Sequence, residues 1–158
     1  MLGIRYLYEA LELCGEEELA YRVITAKGYP SYSGWCEAGA TTFCEYWRTY
    51  SEKDKGYRSH NHHLYSDVLS WMIKSIVGIR HQKADPNAAE ITVKPYFFEN
   101  LTHAEGSYRT QSGEVFVSWQ RNAGSVRLTV KVIGDVSVSY EDRPLSVGVH
   151  EFLVRTTI

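Results

Sequence analysis

The sequence predicts an α+β chain in two segments, helices first and an antiparallel β-sandwich after them. Apolar residues recur at helical spacing up to about residue 80 and alternate beyond it, and Gly, Asn, Asp and Ser turn signals multiply after the change. The expected domains are 1–80 and 81–158, a helical part and a sheet part.

In the helical part, Leu2, Tyr6, Leu7, Ala10, Leu11 and Cys14 share one helix face, and Gly15 suits the position just past its end. "EEELAYRVITA" predicts a second helix whose acidic first turn complements the positive end of the helix dipole. Gly28 and Pro30 break the chain into the loop "KGYPSYSGW". A third helix is expected over about 38–50, then a polar loop, "SEKDKGYRSHNHH". A last helix, about 66–79, is apolar over much of its circumference and so should be buried on more than one side. Four such helices read as the end of a larger helical domain.

"GIRHQKADPNAAE" is the expected linker. "ITVKPY" suits a strand. "GEVFVSWQR" sets Val115, Val117 and Trp119 against Phe116, Ser118 and Gln120. "SVRLTVKVI" sets Val126, Leu128, Val130 and Val132 against Arg127, Thr129 and Lys131. "DVSVSYED" and "HEFLVRT" continue the alternation. Each sheet should have one solvated side.

Composition narrows the function classes. A net charge of −2 and the absence of a Lys/Arg run argue against nucleic acid. No apolar run is long enough to span a membrane. No leader is visible at Met1, so a cytoplasmic location is the default, although a full-length parent could be periplasmic. Cys14, Cys36 and Cys44 are an odd number at irregular spacing, which suits buried thiols better than a disulfide framework. No cofactor is expected. The high aromatic content, 13%, fits both core packing and sugar stacking.

Glu45, in "GATTFCEYW", is the first candidate for chemistry. On a helical wheel Ala40, Phe43, Cys44 and Trp47 form an apolar stripe, and Glu45 falls on the other side with Thr41 and Thr42. Periodicity therefore favours a solvated Glu45, paired with Arg48. The alternative is a carboxylate lining a pocket, suited to general-base work. His60, His62 and His63 lack a ligand spacing such as HExxH, so surface histidines are favoured over a metal site, with sugar hydrogen bonding as the functional alternative. Tyr29, Tyr32 and Trp35 either pack the core or form a stacking wall. Glu37 is a second carboxylate whose geometry the sequence leaves open.

The order of these motifs resembles the late helical segment of bacterial α-L-rhamnosidases, glycoside hydrolase family 78. The carrying residues are "GIRYL" (3–7), "LAY" (19–21), "YPSY" (29–32), "GATTFCEYW" (39–47) and "HNHH" (60–63). "ITVKPYF", "AEGSY" and "GEVFVSW" are similar to the family's C-terminal sandwich. The resemblance implies the last helices of an (α/α)6 barrel followed by an antiparallel β-sandwich. It implies inverting hydrolysis of terminal α-L-rhamnosides, with Glu45 in the general-base position and His62 contacting the sugar. Tyr32 and Trp35 would line the substrate pocket, a rhamnose-containing glycoside would be the ligand, and no metal would be held. It also implies a general acid upstream in the barrel, without a counterpart here. The chain is then expected to be inactive alone and to expose apolar surface that favours a homo-oligomer or the missing barrel segment. Cys44, Tyr46 and Tyr32 depart from the family pattern and put the sugar's identity in question. The reading from a different class is a non-catalytic carbohydrate-binding or assembly module.

Overall fold

The computed structural model describes residues 3–50, 59–81 and 90–155. The middle of the polar loop (51–58) and most of the expected linker (82–89) lie outside them. The chain forms two compact units, one ending at Trp71 and one beginning at Met72.

The first unit contains α1 (Ile4–Leu13), α2 (Glu17–Ile24), α3 (Tyr32–Glu37) and α4 (Asp67–Trp71), with 3-10 turns at Trp47–Tyr50 and His63–Tyr65. Gly15 ends α1 with φ +74°. Its N–H donates to the Glu12 carbonyl at 3.0 Å, and the Glu16 N–H donates to Leu11 at 2.8 Å. This pair of bonds is a Schellman motif, which satisfies carbonyls that a helix end would leave orphaned. Glu17 and Glu18 occupy the first turn of α2, as the dipole argument expects. Tyr8, Ala20, Ile24, Val68 and Trp71 are buried.

The third helix lies earlier than the periodicity suggests. It starts at Tyr32, capped by Ser31, whose Oγ accepts the Gly34 N–H at 2.9 Å. It stops at Glu37 because Gly39, with φ +82°, builds a second Schellman motif. There the Gly39 N–H donates to Cys36 at 3.0 Å, and the Ala40 N–H to Trp35 at 2.9 Å. Residues 40–46 are therefore not helical. Two adjacent β-branched threonines, Thr41 and Thr42, suit that irregular run.

In the second unit, Met72–Val77 is π-helical, closed by the Gly78 N–H donating to Ile73 at 3.0 Å, an i→i+5 bond. The strands are β1 (Ile79–His81), β2 (Glu90–Val93), β3 (His103–Arg109), β4 (Gly113–Asn122), β5 (Ser125–Gly134), β6 (Ser137–Tyr140), β7 (Arg143–Leu145) and β8 (Gly148–Arg155). Ile79 is thus a strand residue, where the periodicity assigned it to the last helix and the linker. The helix is cut short at Gly78, which has φ +90° and lies so close to Pro95 that a Cβ would sit 2.3 Å from its nitrogen. Only glycine fits such a position without strain.

Two four-stranded sheets, β1-β2-β6-β7 and β3-β4-β5-β8, enclose the core. Alternation sets their faces. Val115, Val117 and Trp119 stand opposite Val132, Val130 and Leu128 across the β4–β5 pair, and all six are buried. Ile79, Ile91, Val93, Val138 and Tyr140 of the other sheet belong to the same cluster. Burying a Val, Leu or Ile side chain contributes about 1.5–3 kcal/mol each, so this cluster is the main stabilising element of the unit. The sandwich is rich in antiparallel pairs, but β2 pairs with β6 in parallel. The chain leaves the first sheet after β2, builds β3, β4 and β5 in the second, and returns as β6. Arg121 fixes the loop before β3, its guanidinium donating to the carbonyls of Phe97 (2.8 Å), Phe98 (3.0 Å) and Leu101 (3.3 Å).

Candidate functional site

The first unit brings two remote pieces of sequence together around Glu45. The Thr42 hydroxyl donates to the His60 carbonyl. The His62 N–H donates to the Phe43 carbonyl at 2.8 Å, and the Glu45 N–H to Ser59 at 2.9 Å. Residues 42–45 and 59–62 are thus tied side by side through their backbones. The wheel that set Glu45 opposite Phe43, Cys44 and Trp47 does not apply, because the segment is not a helix. Cys44 is fully buried, while Glu45 beside it is half-buried.

The Glu45 carboxylate accepts the Ser59 N–H through Oε2 at 3.3 Å. Its two oxygens can accept several hydrogen bonds in all, so capacity remains for a water. His62 lies on the facing segment, and its Nδ1 accepts the Leu64 N–H at 3.1 Å, capping the turn at His63–Tyr65. With Nδ1 accepting, the neutral ring carries its proton on Nε2, which makes that atom a donor toward a ligand oxygen. The His62 and His63 rings stack at 5.0 Å. Among the described residues, no group of three His, Cys, Asp or Glu side chains could hold a metal ion.

Tyr32 and Trp35 lie in an aromatic cluster with Phe43, Trp47 and Tyr65. Trp35 is only 4% exposed, its ring centre 4.4 Å from that of Trp47, and its Nε1–H donates to the Trp47 carbonyl at 3.2 Å. It is a packing residue in this structure. Tyr32 is half-buried and joins two elements: its hydroxyl donates to the Tyr65 carbonyl at 3.1 Å and accepts from the Tyr8 hydroxyl at 3.2 Å. Burial, then the Tyr8 hydrogen bond, pushes the Tyr32 hydroxyl far above the ordinary tyrosine range. Burial likewise raises Tyr8 and Tyr65. These phenols are neutral hydrogen-bonding groups, unsuited to base catalysis. Glu37 is exposed at the end of α3 and accepts from Ser33 at 3.0 Å.

Sequence reasoning missed Ser59, Tyr8 and Tyr65. Ser59 acts through its main-chain N–H, which no residue type advertises. Tyr65 takes part through its ring and its carbonyl. The one available signal was Gly39, whose place just past "YSGWCEA" marks the end of a helix.

Residues 1–76 match the family model described as the bacterial alpha-L-rhamnosidase 6 hairpin glycosidase domain. Residues 78–140 match the bacterial alpha-L-rhamnosidase C-terminal domain. An alpha-L-rhamnosidase of Alteromonas sp. (strain LOR) is 30% identical over 143 residues, covering 88% of this chain and 15% of that protein. The chain thus spans about 15% of the length of this curated relative. The crystal structure of native alfa-L-rhamnosidase from Aspergillus terreus has a TM-score of 0.86 at 23% identity, covering 97% of this chain and 19% of that one. That of the Streptomyces avermitilis enzyme complexed with L-rhamnose has a TM-score of 0.77 at 23% identity, covering 98% and 17%. These likenesses show a shared fold.

Proposed function

We propose that this chain, which belongs to the bacterial α-L-rhamnosidase family, carries the water-activating half of an inverting α-L-rhamnoside hydrolase site. It corresponds to the last part of the six-hairpin domain and the C-terminal domain. Inverting hydrolysis needs two carboxyl groups on opposite faces of the sugar, one to protonate the leaving oxygen and one to activate water. Glu45 is the general base in this reading. His62 donates its Nε2–H to a sugar hydroxyl, and Tyr32 lines the pocket over the Trp35–Trp47–Tyr65 cluster. Trp35 supports that wall from within. The general acid comes from barrel sequence upstream of the matched segment. The observation that carries the reading is the pairing of residues 42–45 with 59–62, which puts Glu45 and His62 on adjoining segments.

The natural partner of the helical unit is then the rest of a six-hairpin domain. Tyr6, Leu13 and Leu69 are exposed on it, at 60%, 83% and 52%, and fit a surface that further helices would cover.

The test uses an aryl α-L-rhamnoside with the purified chain, alone and together with the preceding part of a six-hairpin domain from a relative. No turnover is expected from the chain alone. Turnover in the mixture, with β-L-rhamnose as first product by NMR, is expected to fall about 10²–10⁴-fold in Glu45→Gln. A mixture that turns over equally well with Glu45→Gln would sink the assignment. Saturable L-rhamnose binding, with no turnover under any condition, would favour the non-catalytic module.

A further inference from the structure

The outward face of the β3-β4-β5 sheet holds a depression of about 440 Å³, whose polar lining is His103, Glu105, Ser118, Gln120, Arg127 and Thr129, with Ala104 and Trp119 also contributing to its wall. We infer that this depression is a second, non-catalytic binding site for a neutral saccharide.

The strand register builds it. His103 pairs with Gln120, and Gln120 with Arg127; Glu105 pairs with Ser118, and Ser118 with Thr129. The six side chains form two parallel rows of three, one pleat apart. Each row spans about 10 Å across three strands, and the rows lie about 7 Å apart, roughly the footprint of a pyranose ring with its substituents. The volume falls within the range of small-molecule sites. Glu105, Gln120 and Arg127 are exposed, and among the described residues their side chains are committed to no hydrogen bond or ion pair. His103 is held by Thr102 at 3.1 Å, which leaves its other ring nitrogen for a ligand.

The chemistry of the rows selects the ligand class. Glu105 and Arg127 stand at opposite corners of the two rows, so the one carboxylate and the one guanidinium of the lining leave the depression favouring neither an anion nor a cation. An apolar ligand would strip water from six polar groups without replacing it. A polyol satisfies all of them, because each hydroxyl both donates and accepts. The carboxylate and amide oxygens take its protons, and the guanidinium and hydroxyls bond its oxygens. The polyol class comes from this geometry. Rhamnose as the first probe rests on the reading proposed above.

The test is amide NMR of the full chain titrated with L-rhamnose, D-glucose and D-galacturonate. Saturable shifts with a neutral sugar are expected at Glu105, Ser118, Gln120, Arg127 and Thr129. Arg127→Ala and Gln120→Ala should each weaken binding about tenfold. Thr129→Val is the third variant, should either of those lose its dispersed spectrum. No saturable shift on this face with any sugar would overturn the inference. So would tighter binding of galacturonate than of the neutral sugars, or shifts that the variants leave unchanged. Shifts confined to the Glu45 and His62 region would also overturn it while leaving the hydrolase reading standing. Failure of the turnover assay, with binding on this sheet intact, would do the reverse.

Discussion

At the scale of single residues, the first unit depends on a few polar atoms held among rings. Tyr32 makes two side-chain hydrogen bonds, to Tyr65 and from Tyr8, and both vanish in Tyr32→Phe. The substitution keeps the ring contacts with Trp35, Phe43 and Trp47. It should therefore lower stability by about 1–2 kcal/mol, read as a shift in the urea midpoint with the slope unchanged. The same phenols set the alkaline limit. Burial raises Tyr8, Tyr32 and Tyr65 and moves Tyr140 up to about 12. In the unfolded chain these groups titrate near 10, so above that pH the unfolded state holds fewer protons than the folded one. Stability is then complete below about pH 10 and falls as pH rises through the raised values. Equilibrium unfolding at pH 8 to 12 should show a plateau followed by a decline, and a decline already complete by pH 10 would contradict the assignment.

Elements were legible in the sequence where a periodic pattern was buried on one side. The faces of β4 and β5 follow from alternation alone, with every inward residue from Val126 to Val132 buried. The ends of α1 and the acidic start of α2 were equally readable. The α3 region was not, because Ala40, Phe43, Cys44 and Trp47 match helical spacing while Gly39 has already ended the helix. Apolar spacing over eight residues cannot tell a helix from an irregular segment anchored by its aromatics. With no helix over residues 40–46, the wheel carries no information about where Glu45 lies. The π-helical stretch was hidden for a related reason: its carbonyls find partners only in the fold. Ile76 accepts the Trp119 Nε1–H at 2.8 Å, and Ser75 accepts the Tyr96 N–H at 2.7 Å. Gly78→Ala combines a positive φ with a clash against the Pro95 backbone, and should cost roughly 2–4 kcal/mol of thermal or urea stability. A variant within about 0.5 kcal/mol of the parent would show that the β1 approach adapts freely.

At the scale of the whole molecule, the boundary between the compact units falls at Met72, inside the run that reads as one continuous helix. The family models meet a few residues later, between 76 and 78. The second unit owns a contiguous core drawn from both of its sheets and from Val77. Expressed alone, residues 72–158 should unfold cooperatively in urea with a dispersed amide spectrum. A spectrum without dispersion would mean that the sandwich cannot stand by itself.

The parallel pairing of β2 with β6 also governs when the sandwich can form. Ile91 and Val93 lie opposite Val138 and Tyr140, so half of the first sheet waits for residues synthesised more than forty positions later. The β3–β4 and β4–β5 hairpins can close as soon as they emerge, whereas the β2–β6 pair needs a long loop to close first. A chain that stops before β6 would leave one edge of β2, the edge away from β1, without its ladder partner and open to pairing with another strand.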